Sequence, residues 1–70
     1  MAREVPCCVL FRPGGQPKAP ADVINPRLLV RPSRAVLDPY VSHLGLTGRR
    51  GEVWLVDLET QEILIRRQVA

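Results

Sequence analysis

The segment Glu52–Leu58 is largely apolar on both of its faces. In an extended chain Val53, Leu55 and Asp57 lie on one side, and Trp54, Val56 and Leu58 on the other. Glu62–Arg67 is a second β-rich run, and the intervening Glu59-Thr60-Gln61 makes the pair a β-hairpin. Gln61 closes that loop and is expected in the left-handed region, which a residue with a Cβ occupies at modest cost. A strand that is apolar on both sides needs cover on both. The chain has only 70 residues, and chains of that size bury only about 60% of the surface they expose when unfolded. The cover is therefore expected from closure into a barrel or from a second copy.

The remaining elements read as one domain, 1–70. Residues 1–11 hold the first strand, centred on Val5–Phe11, with Pro6 marking its start or an exposed edge. Residues 12–26 contain four prolines and two glycines, a density that reads as a long loop rather than a helix or central strand. Residues 27–70 form a strand–helix–hairpin unit. Arg27–Arg31 is a short strand stopped by Pro32, and Ser33 is placed to cap a helical turn over Arg34–Leu37. Asp38 followed by Pro39 then opens a helix as cap and first residue. Its apolar stripe is Val36, Leu37, Tyr40, Val41 and Leu44, with Gly45 at the position where a helix ends left-handed.

Composition limits the chemistry. Aromatics are 4% (Phe11, Tyr40, Trp54), so the core must be aliphatic. No apolar run approaches the roughly 18–20 residues of a membrane-spanning helix, and the first residues lack a signal-peptide pattern. Cys7 and Cys8 are adjacent, about 3.8 Å between Cα atoms, too close for an unstrained disulfide. They read as reduced thiols in a cytoplasmic protein. With the single His43 they fall short of the four ligands of a structural zinc site, so no metal or cofactor is expected. No nucleophile–base–orienter arrangement is available to His43, and neither glycine-containing turn is a phosphate-binding loop. The chain is read as a non-enzyme. The net charge is +3, concentrated in residues 1–34, where six bases face two acids. Such a basic half suits an anionic or nucleic-acid partner.

Five short words then carry a resemblance. They are Arg27-Leu28-Leu29-Val30 with Pro32, Leu44-Gly45-Leu46, Gly48–Gly51, Glu52–Val56, and Ile63-Leu64-Ile65-Arg66. Together they resemble the repeating unit of the swapped-hairpin AbrB and double-psi (cradle-loop) barrel folds. The resemblance implies a mainly β fold with one short helix, closed as a small swapped-hairpin or double-psi barrel by a homodimer. It further implies a DNA-binding transcriptional regulator or antitoxin. Arg27, and more loosely Arg12, match basic positions that face DNA in the family. With Arg31, Arg34 and Lys18 of the proline-rich loop they are expected to contact the phosphates of double-stranded DNA, and the copies would meet through Val53, Trp54, Leu55, Val56, Ile63 and Ile65. Two features depart from the family: the helix reads Tyr40-Val41-Ser42-His43 where members carry paired arginines, and the first loop is longer and proline-rich. These departures favour a second reading, a protein-interaction or assembly module that docks through the Arg12–Pro26 loop.

Overall fold

A computed structural model of the chain describes residues 3–15 and 20–69. Four strands, β1 (Val5–Pro13), β2 (Asp22–Val30), β3 (Gly51–Asp57) and β4 (Ile63–Val69), form one open antiparallel sheet in the order β2-β1-β3-β4. A 3₁₀ turn, Arg34–Leu37, runs directly into helix α1, Asp38–Leu46. β2 and β3 are each antiparallel to β1, so they are parallel to each other. The segment joining them must therefore cross a face of the sheet, and it carries the helix with it. The protein is mainly β, two layers deep, and only 15 Å across its shortest dimension.

The core lies between the sheet and that crossing segment. Alternation along β1 sends Cys7, Val9 and Phe11 inward, beside Val53 and Leu55 of β3 and Val69 of β4. Leu37 and Leu44 close the layer from the helical side, with Val36, Tyr40 and Val41 packed at its margin. Burying a Leu, Val or Phe side chain contributes roughly 1.5–3 kcal/mol, so this single layer of aliphatic contacts is the main source of stability. An Arg67 guanidinium on β4 secures the crossover, donating to the Arg34 carbonyl at 3.0 Å and to the Asp38 carboxylate.

The hairpin adopts the expected form. Gln61 has φ 63°, and the Asp57 carboxylate accepts hydrogen bonds from the backbone N–H groups of Glu59 (2.7 Å) and Thr60 (3.2 Å). Elsewhere the boundaries differ from the sequence reading. β2 begins at Asp22, five residues before Arg27, and so takes in Val23, Ile24, Asn25 and Pro26. It is an edge strand with two bulges: Pro26 and Arg27 fall between the Cys7–Leu28 and Val9–Asn25 pairs, and Ile24 between the next two. A bulge on an edge is where a proline lacking its N–H is tolerated. Asp38 does not cap α1, because the 3₁₀ turn feeds the helix and Leu37 holds the cap position. Gly45 lies inside the helix and Gly48 takes the left-handed position (φ 75°). Arg49 N–H reaches the Leu44 carbonyl at 2.9 Å and Gly48 N–H the Gly45 carbonyl at 3.1 Å, the paired bonds of a Schellman cap.

Gly51 starts β3 at φ 152°, where an added Cβ would fall onto the Arg12 carbonyl oxygen and the Gly14 nitrogen. Both obstacles are backbone, so neither can swing away. Gly51→Ala is expected to lower unfolding stability by about 3 kcal/mol, whereas Gly45→Ala, with open space around its Cβ position and a helical backbone, should stabilise slightly. Urea unfolding of both variants checks the pair.

Candidate functional site

The helix covers one face of the sheet and leaves the other without intramolecular cover among the described residues. The register assigns the residues of this open face. Leu10 pairs with Trp54 and with Val23, Cys8 with Val56, and Pro6 with Leu29. Beyond them, Val56 pairs with Ile63 and Trp54 with Arg66. Val23 is 60% exposed and Leu29 56%, while Leu10, Trp54 and Val56 are half-buried by their neighbours. A contiguous apolar surface of this kind marks an interaction site more often than an ordinary exterior.

Toward the loop end the same face becomes cationic. The guanidinium carbons of Arg12 and Arg66 lie 5.7 and 5.3 Å from the Trp54 ring centroid, one from each neighbouring strand. Both are within the range of cation–π attraction. Glu52, one pair further along, accepts a hydrogen bond from the indole Nε1–H at 3.3 Å. Trp54 is thereby held in place by three charged neighbours on a solvent-facing sheet.

The expected DNA-contacting residues do not form one cluster. Arg12 lies on the open face near the loop end. Arg27 sits at the β2 bulge, roughly 15 Å down the sheet at about 3.3 Å per residue, with its N–H bonded to the Asn25 carbonyl-type oxygen Oδ1 at 3.2 Å. Arg31 follows the end of β2, and Arg34 opens the 3₁₀ turn. These last three are exposed, but only Arg27 and Arg31 lie along the β2 edge. The Arg34 carbonyl accepts from Arg67 of β4 at 3.0 Å, which sets the 3₁₀ turn against the opposite edge strand. Lys18 lies outside the described residues. The expected interface residues divide between the two faces. Val53 and Leu55 are fully buried in the chain's own core and Ile65 packs against it. Only Trp54, Val56 and Ile63 are presented on the open face.

Other polar groups are occupied locally. Arg49 pairs with Asp22 at 3.7 Å and lies over the Phe11 ring at 5.0 Å, which pins the β3 approach to the start of β2. Asn25 donates to the Tyr40 hydroxyl at 2.8 Å, beside a cleft of about 460 Å³ lined by Ile24, Pro39, Tyr40, His43 and Leu44. Among the described residues no three of His, Cys, Asp and Glu gather as metal ligands, and no helix is long and apolar enough to cross a membrane. Sequence reasoning did not single out Arg66. The signal was available: a turn centred on Thr60 sets Arg66 directly opposite Trp54.

No protein-family model matches the chain, no curated protein matches its sequence, and no solved structure matches its fold.

Cys7 points into the core and Cys8 toward the open face, both as free thiols. Burial raises the Cys7 thiol above its ordinary value of 9.0, and the charges of Asp57 and Cys8 raise it further. Burial also raises Cys8, partly offset by a backbone hydrogen bond. Thiols held protonated are poor nucleophiles. An unfolded chain ionises first as pH rises, so the stability these thiols contribute is complete below pH 9.0 and is lost as pH climbs toward the raised folded values. Urea midpoints measured in reductant should hold steady from neutral pH to the unfolded thiol value and fall beyond it. The fall should be shallower in Cys7→Ala.

Proposed function

We propose that the protein is a small, non-enzymatic, DNA-binding regulator of the antitoxin-like kind, acting as a homodimer in the cytoplasm. Arg27, Arg31 and Arg34 carry this reading. Arg27 and Arg31 stand exposed on the β2 edge and Arg34 at the start of the 3₁₀ turn, with no acid among them in sequence. The ion pairs among the described residues are Arg49–Asp22 and Arg67–Asp38. Exposed guanidiniums on the β2 edge suit the phosphates of a duplex, contacts that position a protein without reading sequence. Two copies whose open faces meet would present two such edges on one paired scaffold. Arg12, on the open face, is a less direct contact in this arrangement.

The exposure of Val23 and Leu29 on β2 favours a second reading, in which the open face docks on a different protein as an assembly module. Recovery of one partner in fixed stoichiometry after nuclease treatment would support it over DNA binding.

If each subunit neutralises about three phosphates, log affinity for duplex DNA should fall against log salt with a slope near −5 for the dimer. Arg27→Ala with Arg31→Ala should weaken binding on every duplex alike and flatten that slope. Fluorescence anisotropy between about 50 and 200 mM salt reads both quantities. An affinity indifferent to salt, or to the double substitution, removes the DNA reading.

A further inference from the structure

On its β3–β4 side the open face differs in charge between its two ends, while Arg27 and Arg31 are exposed along the β2 edge. At the loop end Arg12 and Arg66 outnumber Glu52, and at the opposite end the β3–β4 turn carries Glu59 and Glu62. Between them lie Leu10, Val56, Leu29 and Val23. We infer that a second copy of this chain covers this face, sheet against sheet with strands reversed, so that the Arg12–Trp54–Arg66 row of each copy meets the acidic turn of the other. This rests on the homodimer of the proposed function and assigns its surface and its orientation.

Size and composition both fit. The molecule measures 37 × 24 × 15 Å, so its broad face is of the extent that a stable interface requires, about 800 Å² per partner. The centre of that face is apolar and its ends are charged, the arrangement of a buried core with a polar rim. Trp and Arg are also the residues most enriched where binding energy concentrates.

Charge selects the orientation. Face-to-face pairing of identical copies needs a two-fold axis in the plane between them. An axis along the strands would stack the two net-positive loop ends on each other. An axis across the strands sets each loop end over the partner's Glu59–Glu62 turn, and complementary charge of this kind fixes register and rejects the alternative. No exchange of hairpins is required, because Val53 and Leu55 are already fully buried within one chain. The two sheets would pack about 10 Å apart, with each helix on the outside.

Sedimentation equilibrium of the full chain provides the test. The wild type should run at twice the 7.8 kDa of one chain. Leu29→Lys and Val23→Lys alter side chains already more than half exposed, so each should leave the far-ultraviolet circular dichroism unchanged while shifting the mass to that of a single chain. Arg66→Glu and Glu62→Arg should each weaken association about tenfold, and the double variant should recover it. A chain that stays monomeric, lysine variants that remain dimeric, or charge effects that simply add would each overturn the inference. A monomer that still binds duplex DNA with a steep salt slope overturns the pairing and leaves the DNA contact standing. A dimer that ignores DNA supports the pairing and ends that contact.

Discussion

Everything in this fold follows from a sheet that, among the described residues, a single short helix covers on one face. Nine residues of α1 and the 3₁₀ turn before it close one face, and among the described residues nothing covers the other. The stabilising layer is accordingly thin. Cys7, Val9, Phe11, Val53 and Leu55 meet Leu37 and Leu44, and Arg67 ties the crossover to β4 through two acceptors on the segment it holds down. The face turned away from the helix keeps strand residues of the same apolar character without a layer above them.

The open face is built with specific detail at its charged end. Trp54 lies between two guanidiniums, and its N–H is bound by Glu52, so the largest aromatic of the chain is fixed in orientation while still reachable. Fixing an aromatic beforehand lowers the entropy lost when a partner arrives. Burial raises the thiols of Cys7 and Cys8 above their ordinary value, which makes them poor nucleophiles. The exposed Arg27 and Arg31 continue the charged surface along the β2 edge.

Much of the local structure was readable from the chain. The β-rich run Glu52–Leu58, apolar on both faces, identified β3, and the loop around Thr60 identified the hairpin, including the left-handed Gln61. The apolar spacing of Leu37, Tyr40, Val41 and Leu44 identified the helical face. The start of β2 was hidden by Pro20 and Pro26, which read as loop because proline removes a ladder donor. Only the tertiary fact that β2 is a bulged edge makes Pro26 acceptable there. The cap exchange between Gly45 and Gly48 was similarly hidden, since both glycines suit a helix end and only packing decides which turn is last. The open face itself could be inferred only as an unmet need for cover. Which strands share it depends on β1 lying between β2 and β3, a long-range pairing that no local pattern encodes.

Trp54 is the single tryptophan of the chain and lies within the surface said to be covered, so its fluorescence reports the central claim directly. Diluting the full-length protein should shift the emission maximum to longer wavelength, at the concentration where scattering mass halves, with secondary structure retained. An emission maximum that stays constant on dilution, from a particle of 7.8 kDa at every concentration, would show that the exposed sheet face stands alone in solution and would contradict the account.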